Sequence, residues 1–147
     1  MTTRDYVTFR VGEQLCGVEA SAVQNVFHPR GVAPVPLAPP EIVGIMSLRG
    51  RLVTAVSARA RLGLPPRDEG SPSIAIGLEH AGDSYGLLVD TVGEVMRLDV
   101  GELKLPPGAL PARWADSVLA VCQIDGELLL ILDAASLLDR PLLQAAG

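Results

Sequence analysis

The stretch Gly44–Leu64, GIMSLRGRLVTAVSARARLGL, decides the architecture of this chain. An apolar run ends at Leu48, the pair Arg49-Gly50 interrupts it, and a second apolar run leads to Ser57. Two such runs around a glycine turn predict a β-hairpin, and Ser57 is placed to cap a short helix ending near Gly63. A two-residue turn favours Asn-Gly or Asp-Gly over Arg-Gly. Arg49 is therefore either a solvated turn residue or a contact for a partner.

The same kind of pattern continues on both sides of this hairpin and predicts a mostly-β protein. Ser21 is placed to cap a short helix that carries Val23 and Val26, and Asp133 to cap a final helix over Ala134–Leu138. Proline-rich connectors follow Pro29 and Leu105. Strands are expected over residues 6–11, 15–18, 42–48, 52–56, 74–79, 85–90, 91–98, 118–124 and 128–132.

Two pairs of segments resemble each other and occur in the same order in the two halves of the chain. RGRLVTAVSARARL resembles DGELLLILDAASLL, and CGVEASAVQNV resembles YGLLVDTVGEV. A duplicated unit, and hence two related small barrels, is the interpretation that follows. A chance match between short β patterns is the alternative.

Composition limits the classes of protein that this chain can be. Its 147 residues predict one domain spanning 1–147, with a core over about 6–138 built from two similar lobes. Residues 65–73 are expected to form a mobile loop, and residues 142–147 to fray. A net charge of −5 and 3% aromatic residues argue against nucleic-acid binding and against a polybasic membrane anchor. No apolar run approaches about 18 residues and no signal peptide is evident, so we expect no membrane insertion and a cytoplasmic location.

The residues that usually carry catalysis are scattered. His28 and His80 lack metal-ligand spacing, and Cys16 and Cys122 are isolated, as expected of small buried hydrophobic residues. Neither a GxSxG motif nor a phosphate-binding glycine loop occurs in the sequence. We therefore predict no catalytic residues, no metal and no cofactor, and favour a domain that binds proteins over an enzyme.

Several stretches together resemble the CheW family of chemotaxis adaptors. GIMSLRGRLVTAVSARARLGL is similar to the family signature G-V-x-N-L-R-G followed by two apolar pairs and a short helix. YVTFRVGEQLCGVEASAVQNV, VPLAPPEIVG, YGLLVDTVGEVMRL and CQIDGELLLILDAASLL resemble further family segments in the right order, from about Tyr6 to Leu138. The resemblance implies two interlocked five-stranded SH3-like β-barrels with short helices. It also implies a non-enzymatic scaffold that couples the cytoplasmic tip of a methyl-accepting chemoreceptor to the regulatory domain of a CheA-type histidine kinase.

The resemblance also assigns residues to the two contact surfaces. Arg49 and Ala75 match positions associated with the receptor-facing surface, as do Val23, Gln24, Asn25 and Val26, which match a Val-Gln-Glu-Ile segment. Leu103, Lys104 and Leu105 match the region that docks the kinase. Other CheW-like proteins are further expected partners, and the implied location is a cytoplasmic chemoreceptor array, membrane-bound or soluble.

The chain departs from the family pattern at four places. Ser47, Thr54 and Ser57 replace Asn, Pro and Asp, and Asn25 replaces a Glu on the presumed receptor surface. Since Asn25 removes a charge there, the identity of the receptor stays open. An alternative is a divergent adaptor that competes with or tunes the standard one in a specialised chemosensory array without itself activating the kinase. A small ligand-binding or hydrolytic β-barrel is the alternative from another class.

Overall fold

Antiparallel hairpins with very tight turns form the framework of the computed structural model, which describes residues 2–66 and 73–138. Both turn residues have positive φ in Arg49-Gly50 (52° and 79°), Ala81-Gly82 (53° and 86°) and Asp125-Gly126 (49° and 79°). This geometry is that of the type I′ turn, whose twist matches the twist of the flanking strands. The strands are β1 (Thr3–Val11), β2 (Gln14–Glu19), β3 (Val23–Phe27), β4 (Ile42–Leu48), β5 (Arg51–Ser57), β6 (Ile74–His80), β7 (Asp83–Val89), β8 (Thr91–Asp99), β9 (Val118–Ile124) and β10 (Glu127–Leu132).

Short helices follow β5 and β10 at the predicted places. In α1 (Ala58–Arg61), the Ser57 hydroxyl accepts a hydrogen bond from the backbone N–H of Ala60 at 3.1 Å. The helix over residues 134–138 is capped in the same way by Asp133, whose carboxylate accepts from the N–H of Ala135 at 3.1 Å. A further helix, α2 (Ala112–Ala115), precedes β9.

The strands form two five-stranded sheets that exchange elements between the halves of the chain. Sheet A has the order β8-β1-β2-β10-β9, and sheet B has the order β3-β6-β7-β5-β4. Each sheet takes one hairpin from one half and three strands from the other half. The parallel pairs β2–β10 and β5–β7 join the halves in equivalent positions. The predicted mostly-β fold of two interlocked five-stranded units is confirmed, and the matching strand orders support the duplication.

One hydrophobic core is shared by both sheets, and a second lies on the other face of sheet A. The shared core takes large side chains from both halves, including Phe9, Ile76, Leu87, Leu130 and Leu132. Because both sheets contribute side chains to this shared core, neither sheet can bury its apolar face alone. The second core comprises Tyr6, Leu98, Cys122, Leu129 and Ile131.

The helix predicted to carry Val23 and Val26 is wrong. A 3-10 turn over Ala20–Ala22 leads directly into β3, which pairs with β6. Half-buried and exposed residues alternate along β3, the period of a strand. Ser21 caps nothing, because the 3-10 turn has Glu19 at its start and no side-chain cap.

Two further expectations fall on other parts of the chain. The predicted loop over residues 65–73 lies mostly outside the described residues, and the expected fraying of residues 142–147 lies wholly outside them.

Candidate interaction surfaces

The β4–β5 hairpin forms one wall of a pocket in sheet B, which we call the Arg49 pocket. Its volume is about 250 Å³, and it opens on the sheet face that points away from the shared core. Strands β3, β6 and β7 complete its walls. The lining residues are Gln24, Asn25, Phe27, Leu48, Arg49, Arg51, Val53, Gly77, Ser84 and Tyr85.

Two glycines, of which Gly77 lines the pocket, pair across β6 and β7 beneath the side chains of β3. A Cβ on Gly77 would overlap the side-chain oxygen of Asn25, and a Cβ on Gly86 would lie 3.1 Å from the ring of Phe27. The side chains of Asn25 and Phe27 can lie over the sheet only because these positions lack side chains. The placement of these two pocket residues therefore depends on the glycines beneath them.

Two arginines lie at the rim. Arg49 and Arg51 are exposed, and within the described part of the chain neither side chain makes a hydrogen bond or ion pair. On β3, the Gln24 amide is instead held by Glu79, to which it donates at 2.6 Å. The rim thus presents two guanidinium groups able to bind carboxylate or carbonyl oxygens, beside an apolar wall of Phe27 and Val53.

On sheet A, the face that corresponds to the Arg49 pocket is filled with large side chains. Counting from the hairpin turns, the strand registers make Ala75 in sheet B equivalent to Tyr6 in sheet A, and Ser84 equivalent to Leu15. On the second hairpin of each sheet, Ala55 corresponds to Ile131 and Val53 to Leu129. The large members of these pairs build the second core of sheet A. Sheet B has the small members, and its equivalent space is the Arg49 pocket.

The structure brings together only part of the predicted receptor-facing set. Gln24, Asn25 and Arg49 line the Arg49 pocket. Val26 lies exposed on the same strand, whereas the half-buried Val23 packs against the shared core. Ala75 is fully buried, so its side chain is not exposed to a partner in this structure, and its assignment to the receptor-facing surface stays a prediction.

Several pocket residues were missed by sequence reasoning. Arg51, Phe27 and Ser84 come from three different strands and share no spacing in the sequence. Comparison of the repeats offers one signal. Arg49 and Arg51 occupy the positions of the acidic Asp125 and Glu127 in the other half, so the charge at the hairpin is reversed.

The second predicted surface lies on sheet A. The backbone of Lys104 exchanges hydrogen bonds of 2.8 and 2.9 Å with Val121 on β9, so the segment adds a short pairing to the edge of the sheet. Leu103 packs against the second core. Leu105 is 87% exposed and projects away from the protein. The segment is therefore ordered by its backbone while presenting an apolar side chain.

Chemistry of the catalytic kind is not apparent in the described residues. No group of three or more His, Cys, Asp or Glu side chains there could hold a metal ion, and none of the described helices has the length and apolar character of a membrane span.

An ion pair outside the pocket joins Arg10 to both oxygens of Glu127, at 2.6 and 3.0 Å, and this hydrogen-bonded guanidinium lowers the pKa of the Glu127 carboxyl group.

These features define a two-lobed β protein whose distinctive surfaces are suited to contacts between proteins. Comparison with known proteins gives the family: the CheW-like domain matches residues 5–142. The chain belongs to the CheW-like domain family.

Similar proteins cover nearly the whole chain. A chemotaxis protein CheW from Treponema pallidum is 25% identical, covering 94% of this chain and 84% of the relative. One from Rhizobium meliloti is 26% identical, covering 90% and 86%. The crystal structure of the scaffolding protein TtCheW from Thermoanaerobacter tengcongensis superposes with a TM-score of 0.82 at 26% identity, covering 92% of both chains. The predicted family is confirmed.

Proposed function

We propose that this protein is a non-enzymatic chemotaxis adaptor that couples a chemoreceptor's cytoplasmic tip to a CheA-type histidine kinase. Family membership, the names of its relatives and the scaffold with the same fold support this function. The main observation behind the proposed receptor surface is the unfilled Arg49 pocket, because the equivalent face of sheet A is packed with side chains. The proposed location is a cytoplasmic chemoreceptor array.

The Arg49 pocket is the proposed receptor surface. Apolar side chains from the receptor would pack on Phe27 and Val53, and this burial would provide most of the affinity. Arg49 and Arg51 would bind oxygens at the edge of the same contact. Because these guanidinium groups lack intramolecular partners among the described residues, they can bind without first breaking an ion pair.

The segment of Leu103, Lys104 and Leu105 is the proposed kinase surface. The pairing of the Lys104 backbone with Val121 orders the segment next to the exposed Leu105, so less backbone entropy is lost on docking. It lies on sheet A, whereas the Arg49 pocket lies on sheet B, so both partners could be bound together.

The substitution Arg49→Asn tests the receptor surface. Asn adopts positive φ readily, so the turn is kept while the guanidinium is removed. We expect at least about tenfold weaker binding of a purified chemoreceptor tip fragment, as for the loss of a charged hydrogen bond. The thermal midpoint should be unchanged or slightly higher. Asp125→Asn, at the equivalent turn position of the other lobe, is the matched control and should leave binding intact.

Substitution of Leu105 tests the kinase surface separately. Leu105→Ser should weaken co-purification with the kinase regulatory domain and reduce receptor-dependent kinase phosphorylation. Val95→Thr, which also removes an exposed apolar side chain from sheet A, should not. If Arg49→Asn and Leu105→Ser both retain full binding and coupling, these surfaces are wrongly assigned. If the unmodified protein binds both partners but never stimulates the kinase, the competing-adaptor alternative replaces the proposal.

A further inference from the structure

A buried carboxylate without a partner lies at the start of β4. Glu41 is 8% exposed, and its Oε2 atom is buried and makes no hydrogen bond. In the described part of the chain no cation lies within ion-pair distance of it. Burying a carboxylate oxygen without a donor is costly, and a donor brought by a partner would recover that cost.

Glu41 forms part of the wall of a cavity of about 640 Å³, separate from the Arg49 pocket. Pro40, Val43 and Leu64 give the cavity apolar walls. Arg113 lines it as well, but this side chain is held by a hydrogen bond of 2.8 Å to the carbonyl of Ala60. A cavity that combines these apolar walls with an acidic residue matches a side chain with an aliphatic stem and a cationic end.

In the other lobe, the guanidinium group of an arginine reaches the residue that corresponds to Glu41. The N–H of Ser57 donates to the carbonyl of Glu41 at 2.7 Å, just as the N–H of Asp133 donates to Ser117 at 2.8 Å, so Glu41 and Ser117 are counterparts. The buried Arg61 donates to the Ser117 hydroxyl at 3.3 Å. This position in the fold therefore accommodates a guanidinium group.

An exposed apolar row extends from the cavity along the β4–β5 hairpin. Val43 and Ile45 are 39% and 37% exposed and alternate with the buried Gly44 and Met46. Leu52, 72% exposed, continues the row on β5, because it pairs with Ser47 on the same side. The row lies on the face opposite Arg51 and Val53, and hence opposite the Arg49 pocket. An exposed apolar row of this kind is a feature of a surface that binds a protein.

We propose that this surface is a third docking site, which receives an arginine of a protein partner in the Glu41 cavity and apolar neighbours of that arginine on the Val43–Leu52 row. Arginine fits better than lysine, since its guanidinium group is more weakly hydrated than an ammonium group and so loses less on entering the cavity. The net charge of −5 favours a basic partner. This inference is independent of the receptor and kinase surfaces proposed above.

The test uses the full-length protein and three probes followed by amide NMR shifts. These are the blocked peptide acetyl-Val-Arg-Val-amide, the same peptide with neutral citrulline in place of Arg, and N-butylguanidinium. We expect the Arg peptide to shift the amides of Glu41, Ser57 and Ala60, and to bind at least about tenfold more tightly than the citrulline peptide. Equal binding of the two peptides, or no shift at these amides at millimolar concentration, overturns the proposal.

Two variants locate the binding. Glu41→Gln should abolish the preference for Arg over citrulline and should not lower the thermal midpoint, since it removes an unpaired buried charge. Ala60→Leu keeps Glu41 but fills the cavity, and should also abolish binding. A large fall in the midpoint of Glu41→Gln, or Arg selectivity that survives in either variant, contradicts the proposal.

A last comparison separates a protein surface from a site for a small cation. Leu52→Ser should weaken the Arg peptide several-fold and leave N-butylguanidinium unchanged, because only the peptide reaches the row. If N-butylguanidinium binds as tightly as the peptide and Leu52→Ser affects neither, the cavity is a small-cation site and the docking surface is wrong.

Discussion

Gly44 shows how a single residue fixes the edge of sheet B. The connector before β4 passes over it, and a Cβ at this position would overlap the carbonyl oxygen of Ala33. Ala33 is held there by two backbone hydrogen bonds with Ile45, of 2.8 and 2.9 Å. The glycine that opens the signature stretch thus allows the proline-rich connector to cover the edge of the sheet.

Gly44→Ala should therefore destabilise the fold. The added methyl group must displace the connector backbone, which we expect to lower the free energy of unfolding by about 1–3 kcal/mol. Urea denaturation measures this difference. Gly108→Ala is the control, because no atom lies within 4 Å of its added Cβ, and it should change stability by less than about 0.5 kcal/mol. Equal stability of the two variants would contradict the close approach.

Cys16 is a second residue whose behaviour follows from its surroundings. It is buried on β2, and burial raises the pKa of its thiol to about 12. Burial likewise raises the pKa of Cys122. Because the thiolate is the reactive form, both side chains should be inert in the folded protein near pH 8.

Thiol labelling checks this. We expect labelling of Cys16 by a disulfide reagent near pH 8 to occur only at the rate of unfolding, and to become rapid in denaturant. The single-cysteine variant Cys122→Ala isolates the signal from Cys16. Rapid labelling under native conditions would show that β2 opens locally.

At the scale of elements, Asp90 joins the junction between β7 and β8 to both lobes. Its carboxylate accepts from Arg59 of α1 at 2.9 and 2.6 Å, and from the backbone N–H of Gly12 in the β1–β2 turn at 2.7 Å. Chain segments from sheet A and sheet B therefore meet at one carboxylate. The sequence does not reveal this junction, because nothing in the spacing along the chain relates Asp90 to Gly12 or Arg59.

Asp90→Asn should weaken this junction. The amide removes the charge and one acceptor from the bidentate pair, so we expect a loss of about 1–3 kcal/mol in the free energy of unfolding. Asp5→Asn serves as control, since Asp5 pairs with Arg97 at 3.1 Å on an exposed surface and should contribute less than about 1 kcal/mol. Thermal denaturation of both variants compares them, and a loss in Asp5→Asn as large as in Asp90→Asn would count against this role.

For the whole molecule, the exchange of strands between the two halves means that neither half is a folding unit. Sheet A needs β1 and β2 from the first half and β8, β9 and β10 from the second. Sheet B needs the reverse combination. The shared core and the parallel pairs β2–β10 and β5–β7 form only when both halves are present.

Fragments test this interdependence. We expect peptides 1–66 and 73–147 to be largely unfolded by circular dichroism when separate, since each would expose unpaired strand edges and half of the core. Mixing them should restore β structure at a one-to-one ratio. A stable fold in either fragment alone would show that a lobe can form from one half of the chain.

The sequence alone determined the local features of this protein: the hairpins, the caps at Ser57 and Asp133, and the duplicated pattern. These depend on turn chemistry and alternation within a few residues, which short-range physics fixes. The helix predicted from the sequence at β3 was wrong, because a five-residue strand gains its stability from pairing with β6 and not from its own composition.

Only the tertiary structure decided which surfaces are available. Ala75 and Asn25 both fall on positions that the family pattern assigns to the receptor-facing surface, yet one is fully buried and the other lines the Arg49 pocket. The contrast between small residues in sheet B and large ones in sheet A, and the unpartnered acid at Glu41, likewise appear only when distant strands are in register. Burial and pairing are properties of contacts between strands far apart in the chain, and for that reason spacing along the chain does not reveal them.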